Sequence, residues 1–191
     1  KEDILAASRD LIKENGWAAV SIRAVASRCS VSAGTIYNYY ESKADLLSDT
    51  IESIWHEIFF HPEDEQVFHD VESCISWIYE RLEYGNRQFP GFFSLHSFGF
   101  MRDEKTSGKK RMMKTWGHIL NGLCEVLEND PKVRADVFDQ EFTEKKFADI
   151  LFSLILVSMI RQDYDPSSVL MLVKKTLYVT VQSQAKFQKQ V

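Results

Sequence analysis

Proline, glycine and cysteine are all scarce in this chain of 191 residues, which contains four prolines, eight glycines and three cysteines. Few prolines and glycines leave long stretches open to regular secondary structure, because these two residues interrupt helices and strands. The cysteines, Cys29, Cys74 and Cys124, are odd in number and far apart. Their spacing excludes a C-x-x-C metal or redox motif and favours three free thiols in a reducing compartment.

Long apolar runs are also missing. The most apolar segment, residues 147–160, is too short to cross a bilayer and contains Asp149, Ser153 and Ser158. The chain does not open with a recognisable signal peptide. We therefore expect a cytoplasmic protein with no membrane partner.

The motifs of the common enzyme classes are absent as well, since there is no G-x-S-x-G, no P-loop and no dinucleotide fingerprint. His56, Glu57 and His61 approach the H-E-x-x-H zinc motif, but the second histidine comes one residue late. On a helix this places the two histidines about 140° apart, on different faces. We predict that the protein is not an enzyme and that it needs neither a metal nor another cofactor.

What the chain does have is helical periodicity. Apolar residues recur at spacings of three and four along almost its whole length, and alternation with period two is nearly absent. We predict an all-α fold of about nine helices. The main predicted helices span residues 1–15, 22–29, 33–39, 43–60, 64–84, 110–128, 143–162 and 167–186. Gly85 and Asn86 are expected to end the fifth, and the pattern allows further short helices in 89–100 and 131–139.

Three helix starts are written into residues 20–45. Ser21, Ser32 and Ser42 each stand where a side-chain N-cap is expected. The first two are flanked by apolar pairs with the spacing of a hydrophobic staple, and the third opens an S-x-x-D capping pattern. Three helices must therefore follow one another with very short connections.

Only Ser30 and Val31 connect the second and third predicted helices. So short a connection forces the two helices to cross steeply, and a first helix that braces both completes a helix-turn-helix. The inward face of the second helix carries Ile22, Val25, Ala26 and Cys29, with Ile36 joining from the third. The other face of the third helix is then free to enter the major groove of DNA.

That outer face is composed of small or hydrogen-bonding residues, with no acidic side chain among them. Thr35 can contact a base edge or a thymine methyl group, and the hydroxyl groups can donate to phosphate oxygens. Lys43 is expected to contact a phosphate, and Arg23 a phosphate or a base. The predicted DNA-binding residues are Arg23, Ser32, Ala33, Gly34, Thr35, Tyr37, Asn38, Tyr39 and Lys43.

The charge balance limits how strongly such a face can bind DNA. The formal net charge is -5, and residues 1–47 contain six basic and six acidic side chains, so the excess of acid lies beyond them. Because non-specific DNA affinity comes from neutralised phosphates, we expect it to be modest and to depend on a few contacts per subunit.

Four segments in the first fifty residues form a recognisable pattern: Gly16, SIRAVA at 21–26, VSAGTIYNYY at 31–40 and SKADLL at 42–47. The pattern resembles the signature of the TetR family of transcriptional regulators. Cys29 and Ser30 stand where the family usually has Ala-Gly, and Tyr40 stands where Phe is common. Neither departure removes a predicted DNA contact, and Ser30 can adopt the turn at a small cost in strain.

The resemblance implies an architecture and a function. It implies a DNA-binding domain at residues 1–47 and a helical domain at 48–191 that binds an effector and forms a homodimer. The leading hypothesis is a bacterial repressor that binds a palindromic double-stranded operator and is released by a small molecule. The alternatives are an activator or a corepressor-dependent regulator of the same fold, or a ligand-binding module without DNA binding.

Two further sets of residues follow from this architecture. Aromatic and soft side chains in the middle helices suggest an apolar or aromatic effector, with plain core packing as the alternative for each residue. The candidate effector-binding residues are Trp77, Phe92, Phe93, His96, Phe100, Met112, Met113 and Trp116. The last two helices are apolar on several sides and need cover from a second subunit. The candidate interface residues are Leu151, Leu154, Ile155, Leu170, Val173, Leu177 and Val181.

Overall fold

The structure is a computed structural model that describes residues 1–59, 68–93 and 107–179, with side chains from 116 onward in the last range. All regular secondary structure within these ranges is helical, which confirms the all-α prediction. The eight α-helices found there are α1 (Glu2–Asn15), α2 (Ile22–Arg28), α3 (Ala33–Tyr37), α4 (Lys43–Phe59), α5 (Val71–Gln88), α6 (Ser107–Asn129), α7 (Glu144–Arg161) and α8 (Ser167–Val173). A 3₁₀ turn (Trp17–Ala19) follows α1, and a π-helical turn (Lys174–Tyr178) follows α8.

The chain divides into two compact units. Unit 1 consists of Lys1–Glu65 and Arg81–Gly117, and unit 2 of Gln66–Glu80 and His118–Val191. The predicted division into residues 1–47 and 48–191 is a division by function and stays a prediction. Among the described residues, none of the helices has both the length and the apolar character that a membrane span requires.

The three serine caps form as predicted. The backbone N–H three residues on donates to the serine Oγ at 3.1 Å for Ser21, 3.2 Å for Ser32 and 3.2 Å for Ser42. Ser42 also donates its hydroxyl to Asp45 Oδ2 at 2.8 Å. Each cap satisfies a backbone donor that the first turn of a helix leaves open, which fixes where α2, α3 and α4 begin.

Apolar side chains from α1 to α4 form the core beside these helix starts. Ile12, Val25, Ile36 and Leu46 have no exposed surface, and each comes from a different helix. Burying an aliphatic side chain of this size stabilises a fold by about 1.5–3 kcal/mol. This core holds α2 and α3 in place and gives α3 one buried and one open side.

The prediction that Gly85 ends the fifth helix is wrong, because α5 continues to Gln88. A Cβ atom added at Gly85 would lie 2.6 Å from Ile58 Cδ1 and 3.1 Å from Phe93 Cζ. The glycine is therefore needed for close packing against the end of α4 and does not act as a helix stop.

The start of α5 also differs from the prediction. Residues 64–67 lie outside the described part, but Phe68 to Asp70 are not helical. Asp70 instead caps the helix, since its Oδ1 accepts the Ser73 N–H at 2.7 Å. The aspartate side chain competes for backbone donors and so sets the boundary at Val71.

Two more helix predictions in the second half of the chain are wrong. Residues 131–139 form turns, and the last helix gives way to the π-helical turn and then to extended backbone at Val179. Arg134 explains why the last helix stops. Its backbone N–H donates to Leu177 O at 3.0 Å, and its guanidinium donates to Thr176 O at 3.2 Å. These carbonyl groups would otherwise continue the helical hydrogen-bond pattern.

A buried carboxylate joins three segments of unit 2. Asp130 accepts the Val71 N–H at 3.0 Å, the Lys132 N–H at 2.9 Å and the Tyr178 hydroxyl at 2.5 Å. Burial, together with the hydrogen bond to Asp130, raises the pKa of Tyr178. The start of α5, the loop after α6 and the π-helical turn are thus held together by one side chain.

Candidate nucleic-acid interface

The turn between α2 and α3 is closed by backbone hydrogen bonds. The Val31 N–H donates to Ala26 O at 3.0 Å and the Ser30 N–H to Ser27 O at 3.1 Å. Ser30 has a φ angle of 56°, in the left-handed region. The two bonds and the left-handed residue form a Schellman motif, which reverses the chain within two residues and starts α3 at once.

The inner side of α3 is fully covered. Ile36 is completely buried. On α2, Val25 is completely buried as well, and Ala26 is almost completely buried. Tyr40, just after α3, is also buried, and Lys1 Nζ lies 5.4 Å from the centre of its ring. Tyr40 is therefore a core residue, and α3 cannot turn its buried side outward without losing this packing.

The outer side of α3 projects from unit 1. Tyr37 and Tyr39 are 54% and 53% exposed, which is unusual for large aromatic side chains. Seven of the nine predicted DNA-binding residues are exposed, and Ala33 and Thr35 are half-buried. The seven predicted residues between Ser32 and Tyr39 lie on α3 or directly beside it. Arg23 lies on α2 and Lys43 at the start of α4. Contact of these residues with DNA stays a prediction.

One hydroxyl pair organises the first turn of α3. Ser32 Oγ, which already accepts the Thr35 N–H, lies 3.0 Å from Thr35 Oγ1. The Asn38 N–H donates to Gly34 O at 3.2 Å. The backbone of this turn is therefore fixed by its own hydrogen bonds before any ligand arrives.

Ion pairs account for most of the basic side chains in residues 1–47. Lys1 pairs with Asp49 at 2.7 Å, and Arg28 donates to Glu14 at 2.6 Å, a bond that lowers the pKa of Glu14. For Arg23 no ion pair occurs within the part of the chain that the structure describes, and the same holds for Lys43. Although residues 1–47 carry no net charge, Arg23 and Lys43 are exposed cations that form no ion pair within the described part of the chain.

A charged contact fastens α1 to α4. Glu57 accepts from Lys13 Nζ at 2.7 Å and from Arg9 Nε at 3.2 Å. Arg81 donates to the Glu57 and Ile58 carbonyl groups at the end of the same helix. Arg9 and Lys13 lie four positions apart, a spacing that places them on one face of α1. Their acidic partner, Glu57, lies 44 residues after Lys13, and no local pattern in the sequence indicates this contact.

The candidate effector-binding residues separate into three groups. Phe92 and Phe93 are buried in unit 1, and both ring centres lie 5.6 Å from that of Trp55. Trp77 is half-buried with its ring 5.2 Å from Phe68, and Trp116 is half-buried on α6. His96 and Phe100 lie outside the described residues, as do the side chains of Met112 and Met113. Effector binding by this set stays a prediction.

The structure corrects most of the candidate interface residues. Leu151, Ile155, Val173 and Leu177 are at most 2% exposed and form the core of unit 2. Side chains so deeply buried in their own unit cannot contact a second subunit unless that unit opens. Leu154 and Leu170 are half-buried, and Val181 lies outside the described residues.

A different apolar set is open on the last two helices. Ile150, Val157 and Ile160 on α7 are 45–47% exposed, and Met171 and Leu172 on α8 are also exposed. The sequence shows α7 as apolar on several sides, which is why it could not tell the inward face from the outward one.

The cysteines are all thiols in the structure. Burial raises the pKa of Cys74 to about 12 and also raises the pKa of Cys29 and Cys124. Thiols with raised pKa values are weak nucleophiles at neutral pH, and Cys74 is a buried packing side chain.

Comparison with known proteins identifies the N-terminal segment. Residues 4–50 match the family described as "Bacterial regulatory proteins, tetR family". The HTH-type transcriptional regulator UidR of Escherichia coli K12 is 38% identical over 48 residues, which are 25% of this chain and 24% of UidR. The match thus spans about a quarter of the length of this curated relative.

Solved structures extend the likeness to nearly the whole chain. A transcriptional regulator from Rhodococcus sp. Rha1 has a TM-score of 0.66 at 16% identity, covering 94% of this chain and 98% of its own. The regulator FadR from Bacillus subtilis, solved in complex with stearoyl-CoA, has a TM-score of 0.59 at 14% identity, covering 90% of this chain and 96% of its own. At these identities the likeness shows a shared fold.

Proposed function

We propose that this chain, which carries the N-terminal domain of the TetR family of bacterial regulatory proteins, is a transcriptional regulator that binds operator DNA through α3. The observation that carries the proposal is the two-sided character of α3. Ile36 is wholly buried, while Tyr37 and Tyr39 are more than half exposed. A short, rigid and exposed helix with hydroxyl and amide groups is suited to the major groove.

Two exposed basic residues without an ion pair among the described residues, Arg23 and Lys43, also support DNA binding at α3. Arg23 lies in the first turn of α2 and Lys43 at the start of α4, and both are exposed. Phosphate contacts position a protein on the duplex, whereas base contacts select the sequence. In this proposal Arg23 and Lys43 position the subunit, and the side chains on the outer face of α3 read the bases.

The proposed active form is a homodimer on a palindromic operator. Two α3 helices would enter successive major grooves about 34–36 Å apart. The apolar residues that remain open on α7 and α8 support association of two copies, because Ile150 and Val157 lie seven residues apart on one helix face. A partner that covers this face removes apolar surface from water.

The proposed regulation is release of a bacterial repressor from its operator by a small apolar or aromatic effector. FadR, which shares the fold, was solved with stearoyl-CoA, a ligand with a long apolar chain. An effector can act only by binding one conformation of the protein more tightly than another. The conformation it favours would hold the two α3 helices at a spacing that no longer fits successive grooves.

Fluorescence anisotropy with a labelled fragment from upstream of the gene tests the DNA-binding proposal. The combined Tyr37→Ala and Lys43→Ala variant should weaken binding at least about tenfold, because each lost contact to DNA is worth roughly 1 kcal/mol or more. Lys43→Ala alone should reduce the slope of log K against log salt by about 1 per subunit.

Lys145→Ala provides the matched control, since Lys145 is an exposed lysine on α7. It should leave both the affinity and the salt slope unchanged. A wild-type protein that binds no duplex would favour the alternative of a ligand-binding module. Unchanged binding by a folded Tyr37→Ala, Lys43→Ala variant would refute the assignment of α3.

A further inference from the structure

Gly34 occupies a bare position on the exposed side of α3. It lies in the first turn of the helix and is itself exposed. Tyr37 and Asn38 follow at spacings of three and four, so they lie on the same face one turn away. Both are exposed, which leaves a gap in the side-chain cover of the helix between Ser32 and Tyr37.

The fold of the protein does not require a glycine at this position. A Cβ atom added at Gly34 would meet only Ser32 Oγ, at 3.5 Å, which is an ordinary van der Waals contact. Its φ angle is not in the left-handed region, unlike those of Gly16 and Gly91. Gly85 offers the contrast, since a Cβ atom there would collide with Ile58.

A glycine inside a helix carries a cost that alanine would avoid. It loses more backbone entropy on folding than any other residue, and alanine is the best helix former. Alanine at position 34 is therefore expected to make the free protein more stable, since the added Cβ atom would meet only Ser32 Oγ, at 3.5 Å. A molecule that approaches this exposed side of α3 closely would give the glycine a role.

We propose that Gly34 is the point of closest approach between α3 and the DNA duplex, where the helix backbone lies so near the groove that a single methyl group does not fit. The inference rests on the proposed DNA-binding function. It assigns Gly34 as a positioning residue, which sets how deeply α3 enters the groove and so whether Thr35 and Asn38 reach the base edges.

The first turn of α3 cannot move aside to make room. Ser32 Oγ is held by the Thr35 N–H and lies 3.0 Å from Thr35 Oγ1, and Gly34 O accepts the Asn38 N–H. A methyl group at position 34 would therefore keep a fixed direction. The subunit would have to withdraw from the groove, and the contacts on both sides of Gly34 would lengthen together.

The test is to compare Gly34→Ala with Gly122→Ala. Gly122 is a matched control because it lies within α6 and a Cβ atom there would meet nothing within 4 Å. Thermal unfolding should show that each substitution raises Tm by about 1 to 4 °C. In fluorescence anisotropy with the upstream DNA fragment, Gly34→Ala should weaken binding at least about tenfold, and Gly122→Ala should not change it.

The outcomes separate this inference from the proposed function. Wild-type protein that binds DNA, with Gly34→Ala binding equally well, would overturn the inference and leave the DNA-binding function standing. A lower Tm for Gly34→Ala would also overturn it, because the glycine would then serve the fold. If the wild-type protein binds no duplex at all, both proposals fail.

Discussion

Ser30 bears the backbone strain of the turn between α2 and α3. Its φ angle is 56°, and among the described residues only Gln162, at 54°, is another non-glycine residue with positive φ. A side chain in the left-handed conformation costs roughly 1–2 kcal/mol, which glycine avoids. The turn is nevertheless formed, because two backbone hydrogen bonds and the core around Ile36 over-determine it.

Replacing this residue tests the strain directly. Ser30→Gly should raise the free energy of unfolding by about 0.5–1 kcal/mol, since relief of strain outweighs the added entropy of the unfolded chain. Ser30→Val should lower it, because a β-branched side chain tolerates positive φ poorly. Urea denaturation measures both, and a destabilised Ser30→Gly variant would contradict this account of the turn.

Asp70 is the carboxylate in unit 2 with the clearest pH dependence. Its Oδ2 accepts from Lys132 Nζ at 2.7 Å and its Oδ1 from the Ser73 N–H at 2.7 Å. These hydrogen bonds, that from Lys132 first, lower the pKa of Asp70 to about 2. Because the folded pKa is below the unfolded value, the stabilisation is present above about pH 4 and is lost as the pH falls towards 2.

Asp70→Asn should therefore lower the free energy of unfolding by about 1–2 kcal/mol at pH 7, a value reduced for the solvent exposure of Lys132. The difference from wild type should shrink between pH 4 and pH 2, where the wild-type carboxylate takes up a proton. Chemical denaturation across this pH range measures it. A difference that stays constant down to pH 2 would show that the carboxylate charge is not responsible.

At the scale of whole elements, the starts of α2, α3 and α4 were predictable, whereas the start and the end of α5 were not. The starts of α2, α3 and α4 depend on serine side chains that bind donors three residues away, so the signal is local in the sequence. The end of α5 depends instead on whether Gly85 faces a neighbour, and the neighbour, Ile58, is 27 positions earlier. A glycine in a sequence can either end a helix or allow close packing within one, and the sequence alone does not distinguish the two roles.

The close packing at Gly85 gives an energetic prediction. Gly85→Ala should lower the free energy of unfolding by about 1–3 kcal/mol, because the new methyl group forces Ile58 or Phe93 to shift in a packed core. Gly122→Ala, whose methyl group meets open space, should instead raise stability. Thermal and urea unfolding of the two variants measure this. A stabilised Gly85→Ala variant would show that the helices separate at no cost.

The loops of unit 2 could not be predicted from the sequence either, because they too depend on contacts between residues that are far apart in the chain. Asp130 binds the Val71 N–H across 59 positions, and Arg134 binds Thr176 O across 42. The contact from Arg134 occupies a carbonyl group that a continuing helix would need, which accounts for the end of the π-helical turn at Tyr178. Nothing in the local sequence of residues 131–139 or 174–186 announces these contacts.

For the whole molecule, the exposed outer side of α3 could be predicted from the sequence, and the apolar surfaces could not. The residues of α3 share a local motif, whereas α7 is apolar on several sides and its inward face depends on the other helices of unit 2. The sequence-based choice of Leu151 and Ile155 as interface residues was wrong because both are core residues. The open face with Ile150 and Val157 replaces them in the proposed dimer.

Association can be tested by placing charge on that open face. Ile150→Glu combined with Val157→Glu should shift the protein towards monomer and raise the dimer dissociation constant at least about 100-fold, since carboxylates are costly to bury unpaired. Lys145→Glu, an exposed control on the same helix, should leave the dimer intact. Sedimentation equilibrium measures the constants. A double variant that stays fully dimeric would place the interface elsewhere.

The proposed function requires the outer face of α3 to enter duplex DNA. Its most direct test is photo-crosslinking from a reactive amino acid placed at Tyr37, with a second protein carrying the same group at Ile160 on α7. Both proteins are irradiated on the upstream DNA fragment after binding has been checked. We predict crosslinks to DNA bases from position 37 and none from position 160. Crosslinks from position 160 alone, in protein that binds the fragment, would contradict the proposed function.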